Sequence, residues 1–335
     1  MTDLLKQLIA TPSFSREEGP AADILEAWMR AQGLPVRRVG NNLWCETPGT
    51  TDKTLLLNAH IDTVKPVAGY TRDPFTPVLE GDTLYGLGAN DDGGSLVALL
   101  AAYRLLAAKP QPYRLIFSAT AEEEVCGKEG IDLLLPELGK VDLGIIGEPT
   151  KMQMAVSETG LMVLDCTAHG VSGHAAREEG VNALYKAMDD IAWLRSQPLD
   201  QVKLSVTMIQ AGTQHNVVPD TCSFVVDVRS KGKYSNVEVL EMVKAGLQSD
   251  VKERSTRINA SSIPESHPVV QRGLSLGLTC FHSPTTSNQA LCPFTTLKIG
   301  PGDSARSHTA NEYIRLSEIE AGIRTYVDLL DGLVL

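Results

Sequence analysis

Isolated acids and histidines recur in this chain directly after short apolar runs. His60 and Asp62 follow LLLNA, Glu122, Glu123 and Glu124 follow LIFSAT, and Glu148 follows GIIG. His308 lies in GPGDSARSHTANE after LKIG, and Asp91 precedes a long Ala/Leu-rich stretch. Carboxylates and imidazoles are the ligand types of catalytic zinc sites, which keep one position open for water. Two ions need about five such ligands with one shared, and an aspartate can bridge through its two oxygens. In an extended segment residues i and i+2 point the same way, so Asp62 is placed to accept the other ring N–H of His60 and set its tautomer. Each residue alone has a bland reading: His60 a core histidine, Asp91 a helix N-cap, the glutamate triplet a dipole-favoured helix start, Glu148 a turn residue, His308 a loop histidine. All of these must hold at once, each at the end of a strand, for the metal-pair reading to fail.

The elements that position these groups follow from periodicity. Residues 20–32 have apolar spacing near the helical period, with Gly33 as a stop. Residues 53–59, 113–119 and 142–147 are short continuous apolar runs, as in strands buried on both faces. Residues 92–108 form a helix opening on Gly93-Gly94. Strands alternating with helices predict a mostly parallel α/β sheet, in which the carboxyl ends of the strands line the reactive crevice. After about residue 156 the texture changes. Residues 160–169, 204–211 and 221–229 alternate apolar and polar at period 2, the mark of an antiparallel sheet with one solvated face. With helices at about 181–195 and 236–248, this stretch reads as an inserted α+β domain. The α/β texture resumes near Ile263, with a strand at 296–299 and a closing helix at 316–331. The expected organisation is a catalytic domain over 1–156 and 263–335, interrupted by an insert over 157–262.

Composition narrows the function classes. The chain has 335 residues, a formal charge of -11 and 43% hydrophobic residues, and it is long enough for two domains. No cluster of Lys and Arg is available for phosphates, so no nucleic-acid partner is expected. No apolar run reaches the roughly 18 residues of a membrane span, and the N-terminus has no basic segment followed by an apolar one, so a cytoplasmic protein is expected. The six scattered cysteines have no C-x-x-C pair and read as reduced, mostly buried thiols.

Taken in order, these residues resemble the dimeric zinc aminoacylase and carboxypeptidase family, which includes acetylornithine deacetylase, succinyl-diaminopimelate desuccinylase and the carboxypeptidase G type. The resemblance spans essentially the whole chain. His60-Ile61-Asp62 is similar to the family's H-x-D, and GLGANDDGG (86–94) to the segment carrying its bridging aspartate, here Asp91. TAEEE (120–124) implies Glu123 as general base and Glu124 as ligand. Gly147-Glu148-Pro149-Thr150 resembles the G-E-P-[ST] of the deacylases, making Glu148 a ligand, and SHTANE (307–312) supplies His308. One ion would then take His60, Asp91 and Glu148, and the other Asp91, Glu124 and His308. In the insert, GVSGHAA (170–176) resembles the lid segment whose histidine reaches into a partner subunit's site, here His174, and HNVVPD (215–220) the turn whose asparagine contacts substrate, here Asn216. The resemblance thus implies two Zn2+, with Co2+ or Mn2+ as substitutes, and a homodimer formed through the insert as lid and dimerisation domain. Leu87 stands where many relatives have Arg, Gly93 where many have Lys, and Arg177 where Pro is usual.

The expected reaction is hydrolysis of a small N-acyl amino acid, with catalytic roles for Glu123, Asp62 and His174. N-acyl-L-ornithine deacetylation, as in arginine biosynthesis, is the leading expectation. Alternatives are a succinyl-diaminopimelate desuccinylase, a dipeptidase or carboxypeptidase of the same fold, and a catalytically silent metal-binding dimer. Arg229 and Arg306 are candidate anchors for a substrate carboxylate, since guanidinium pairs with carboxylate bidentately. For Arg229 a surface ion pair is the competing reading. Glu178 or Glu312 would face an amino side chain. Two motifs are set aside. GLSLG (273–277) fits a serine-hydrolase string but lies in VVQRGLSLGLTC, which reads as an amphipathic helix. Gly86-x-Gly88 opens like a dinucleotide fingerprint, but Asp91 occupies the third glycine position.

Overall fold

The computed structural model describes residues 1–177 and 179–335. Its contacts divide into two compact units: Met1–Val156 with Ser262–Ser283 and Ser287–Leu335, and Ser157–Ser261 with Pro284–Thr286. No helix among the described residues is long and apolar enough to cross a membrane.

In the first unit the apolar runs become the centre of a mixed sheet. Four parallel strands lie side by side in the order Arg114–Thr120, Thr54–His60, Leu143–Ile146, Thr296–Lys298. Antiparallel strands flank them, Asn42–Thr47 and Arg37–Val39 on one side and Met154–Glu158 on the other. Every residue of Thr54–His60 is buried, as a strand covered on both faces requires. Helix Gly93–Ala107 is apolar on most of its circumference, from Leu96 to Leu106, and lies within the core rather than on it. Helix Leu316–Leu330 packs against it, and the Tyr326 hydroxyl donates to the Ile299 carbonyl at 2.6 Å, tying that helix to the end of the last parallel strand.

The second unit is a four-stranded antiparallel sheet ordered Val202–Ala211, Thr221–Ser230, Gly160–His169, Asp250–Glu253. Burial alternates along Gly160–His169, and Met162, Leu164 and Cys166 meet Phe224 and Val226 under helices Ala183–Ser196 and Asn236–Gly246. Asn182 caps the first helix through the Leu184 N–H, and Ser235 with Glu238 forms a capping box on the second.

Two expectations change in detail. The amphipathic run after Pro268 is helical only to Ser275, because Gly277 turns the chain at φ 84°. The Ser275 hydroxyl donates to the Arg272 carbonyl and stands on no strand-to-helix elbow. A small sheet of Val78–Glu80, Thr83–Tyr85 and Tyr313–Arg315 was not foreseen; its three-residue strands are too short to show a period. None of the six cysteines is joined in a disulfide; Cys45, Cys166 and Cys222 are buried and the other three half-buried.

Candidate active site

Because the four central strands run parallel, their carboxyl ends open on one edge of the sheet, and the chain leaves each end carrying an acid or a histidine. His60 closes its strand, Glu122–Glu124 follow Thr120, Glu148 follows Ile146, and the loop after Lys298 brings in His308. Asp91 arrives on the turn that opens helix Gly93–Ala107.

These groups meet. His60 Nε2 lies 3.2 Å from Asp91 Oδ1, and His308 Nε2 lies 3.8 Å from Asp91 Oδ2. Each oxygen of Asp91 therefore faces a different histidine, the arrangement a shared ligand needs. His308 Nε2 is also 3.0 Å from Glu124. Ligand atoms of His60, Asp91 and Glu124 lie within 4.8 Å of one another, as do those of His60, Glu123 and Glu148. Glu123 Oε2 stands 4.0 Å from His60 Nε2, so geometry places it among the ligand-bearing groups as well as beside them.

The charges show what such a cluster requires. Burial pushes the Glu123 carboxyl up to about 8, with Glu124, Asp62 and Asp91 adding to it. Glu148 is driven well above the carboxylate range by burial and then by Glu123 and Asp91. Burial opposes a proton on His60, yet Asp62, Asp91 and Glu123 hold its pKa well above the usual value. His308 is raised to about 9, chiefly by its hydrogen bond to Glu124. Protons are thus gathered where several buried carboxylates demand positive charge. A mixed imidazole and carboxylate set that draws in cations fits a pair of metal ions.

Acids beyond the expected ligand set hold the loops that carry it by their backbone. Asp62 Oδ1 accepts the Glu123 N–H at 3.0 Å and Oδ2 the Glu124 N–H at 3.1 Å. The expected contact with the His60 ring is the longer one, 3.4 Å, and His60 Nδ1 is nearer the Asp62 carbonyl at 2.9 Å. The principal work of the Asp62 side chain is therefore on the glutamate loop. The fully buried Glu312 accepts N–H groups from Gly88 at 3.0 Å and from Asn90 and Asp91 at 2.8 Å. This corrects the expectation that Glu312 faces a substrate amine: its carboxyl lies under the Asp91 loop. Asp92 Oδ2 accepts the His60 backbone N–H at 3.3 Å. Ser15 and Glu18, which sequence reasoning missed, complete this frame: Ser15 donates to Asp62 Oδ2 at 2.7 Å, and Glu18 accepts the Glu122 N–H at 3.1 Å.

Other expected groups are placed differently. Arg306 makes a two-pronged pair with Glu318 at 2.7 and 2.9 Å and stacks 4.4 Å from the Tyr313 ring centre. Its fork is occupied inside the protein, which argues against a substrate anchor. In the second unit, a two-residue ladder pairs His174 with Val217, and the Ala175 N–H donates to the Asn216 carbonyl at 3.0 Å. His174 and Asn216 are thereby brought together. The Ala176 N–H donates to His174 Nδ1 at 3.1 Å, which turns Nε2 of the exposed ring away from the backbone contact. Arg229 is paired with Asp227 at 2.9 and 3.1 Å and lines a cavity of about 620 Å3 with Lys203 and Lys231. Glu178 lies outside the described residues.

Residues 56–332 match the model of Peptidase family M20/M25/M40. A succinyl-diaminopimelate desuccinylase of Dinoroseobacter shibae is 31% identical over 75% of this chain and 74% of its own. The acetylornithine deacetylase of Proteus mirabilis is 28% identical over 95% of this chain and 92% of its own. Among solved structures, the Bacillus subtilis YXEP protein, described as a dinuclear metal binding peptidase, superposes with a TM-score of 0.76 at 16% identity, covering 98% of this chain and 96% of its own.

Proposed function

This chain belongs to peptidase family M20/M25/M40 and hydrolyses amides, and on that footing we propose that it removes the acyl group from an N-acyl diamino acid. The observation that carries the reading is Asp91 between His60 and His308, with Glu123, 10% exposed, alongside. His60, Asp91 and Glu148 would hold one zinc ion, and Asp91, Glu124 and His308 the other. When bound, the pair polarises an amide carbonyl and makes a water acidic. Glu123 accepts the proton of the attacking water and returns it to the departing amine. Burial keeps that carboxylate poorly solvated and so more basic than a surface glutamate. His174 supplies Nε2–H to the developing oxyanion, a contact made chiefly in the transition state. Its Nδ1 bond to the Ala176 N–H supports that tautomer.

His174 acts from a second subunit in this proposal. Exposed apolar residues of the second unit support a dimer: Tyr185 and Met188 on helix Ala183–Ser196, and Met208 and Ile209 on the edge strand Val202–Ala211. An edge strand bearing large apolar side chains is a ready surface for another chain.

The relatives' names point to one substrate chemistry, since diaminopimelate and ornithine are both diamino acids. N-acetyl-ornithine is our leading substrate and N-succinyl-diaminopimelate the alternative. Arg229, whose side chain is 38% exposed against 14% for Arg306 and which has Lys203 and Lys231 around the same cavity, suits the carboxylate such substrates share, which would displace Asp227 from the guanidinium. The test is a panel of N-acetyl-ornithine, N-succinyl-ornithine, N-succinyl-diaminopimelate and dipeptides, each with and without chelator. Chelator-sensitive release of a diamino acid is expected. Turnover of dipeptides alone would replace the proposal with a peptidase, and zinc binding without turnover would leave a silent dimer.

A further inference from the structure

Among the described residues the N-terminal segment Ser13–Glu18 makes no hydrogen bond or ion pair with the expected ligands, yet it is fastened to two of the strand ends that carry them. The Ser13 hydroxyl donates to the Ile61 carbonyl at 2.7 Å, and the Thr63 N–H donates to the Ser13 carbonyl at 2.7 Å. These bonds set the segment alongside the chain that leaves His60. From there Ser15 donates to Asp62 Oδ2 at 2.7 Å, while Glu18 Oε1 accepts the Glu122 N–H at 3.1 Å. Asp62 in turn accepts the N–H groups of Glu123 and Glu124. Three successive backbone N–H groups, 122 to 124, are therefore held by acids that this one segment supplies or orients.

The loop needs such holding. Glu122 has φ 53°, a left-handed conformation that costs a non-glycine residue free energy, and Glu123–Val125 is a single short turn with no helix to continue it. Both acids are fully buried, with Asp62 at 0% and Glu18 at 1% exposure. Glu18 is itself fixed by the Arg16 N–H at 2.6 Å and the Asn41 side-chain amide at 3.0 Å. In so dry a place a charge-assisted bond to a backbone N–H is short and directional.

We propose that Ser15 and Glu18 are positioning residues that set the place of the Glu123 carboxylate through the backbone of its loop. This rests on the reading of Glu123 as the base. A base displaced by about 1 Å loses on the order of 100-fold in rate, whereas ground-state binding of the substrate does not depend on it.

The experiment compares Ser15→Ala, Ser15→Thr, Glu18→Ala and Glu123→Gln in the zinc-loaded full chain, on whichever substrate of the panel it turns over. Metal content and melting temperature are measured beside kcat and KM. Ser15→Ala should lower kcat on the order of 10- to 100-fold, with KM within about twofold and metal content equal to the parent's. Ser15→Thr, which keeps the hydroxyl, should recover most of the loss. In the Glu123→Gln background Ser15→Ala should leave the residual rate and the metal content unchanged, which separates action through Glu123 from action through Glu124, whose N–H Asp62 also holds. Should Glu18→Ala not fold, the Ser15 variants decide alone. Near-parent kcat for Glu123→Gln would overturn the base reading and the proposal with it. Slow turnover by Glu123→Gln, combined with parental kcat for Ser15→Ala, would overturn the positioning role alone. So would an equal loss on adding Ser15→Ala to Glu123→Gln.

Discussion

The family resemblance leads one to expect lysine at the position of Gly93, and glycine near a helix start is ordinarily improved by a larger side chain. The structure predicts the reverse, and Gly93→Ala is the minimal test. A Cβ on Gly93 would stand 2.4 Å from the Gly88 carbonyl oxygen and 2.6 Å from Leu5 Cδ1. Leu5 is buried in the core, and the Gly88 carbonyl accepts the Gly93 N–H at 3.0 Å. For that contact to open from 2.4 to 3.0 Å, the carbonyl must retreat by about 0.6 Å. Gly88 is not free to follow, because its own N–H is fixed on Glu312, as are those of Asn90 and Asp91. Either those bonds stretch or Asp91 moves with the loop.

Overpacking of this kind costs about 1–3 kcal/mol. Exchanging glycine for alanine in a helix returns roughly 1 kcal/mol, so a net loss of up to about 2 kcal/mol is expected. With an unfolding entropy of about 2.1 cal/mol/K per residue, a chain of 335 residues loses about 1.4 °C per kcal/mol. The zinc-loaded variant should therefore melt at most about 3 °C lower. The rate should fall far more, on the order of 10- to 100-fold, because Asp91 is the proposed shared ligand and small displacements of reacting groups are costly. A thermal melt and a kcat measurement on the same preparation check both. A variant that melts higher than the parent and keeps its full rate would refute the reasoning, showing that the Gly88 loop is no rigid mount for Asp91.

Other outcomes are expected. Glu123→Gln should lose about 100-fold or more in kcat while retaining its metal, and loss of metal instead would make Glu123 a ligand. His174→Ala should also be slow, and mixed with Glu123→Gln chains it should regain activity in heterodimers; no regain would place His174 outside the partner's site. With its ions removed, the chain should melt at lower temperature as pH rises from about 6 to about 9. Glu123 and Glu312, both pushed up to about 8 by burial, and His308, raised to about 9 by Glu124, bind more protons folded than unfolded across that window. Stability is then lost as they deprotonate, and zinc should restore it; a metal-free melting temperature that climbs over the same range would contradict the charge balance.

What was legible in the sequence, and what was not, divides along one physical line. His60, Glu124, Glu148 and His308 could be read because each interrupts or follows an apolar run, and the parallel strands that those runs form must end together. The alternation in Gly160–His169 and Thr221–Ser230 marked the second sheet in the same way. The residues that mount the ligands carried no comparable mark. Arg306 looked available because its partner Glu318 lies twelve residues on, across a strand and into the closing helix, where no periodicity relates them. Glu312, close to His308 in sequence, reads as an acid available to an amine, although it is buried beneath a loop more than two hundred residues earlier in the chain.

The deeper reason concerns the donors. Glu18, Asp62, Asp92 and Glu312 all act on backbone N–H groups, of Glu122, of Glu123 and Glu124, of His60, and of Gly88, Asn90 and Asp91. A backbone N–H belongs to almost every residue type, so the receiving end of such a bond leaves no trace in composition or spacing. Only the acid is visible, and a lone acid reads as solvated surface until its burial is known. Ion-binding side chains are constrained by their own chemistry and form motifs; the acids that hold them are constrained by where the backbone passes. A substitution in this outer frame should therefore be judged by the N–H group it releases, and Ser15→Ala, which removes one hydroxyl from Asp62, is the smallest change that separates placing Glu123 from being Glu123.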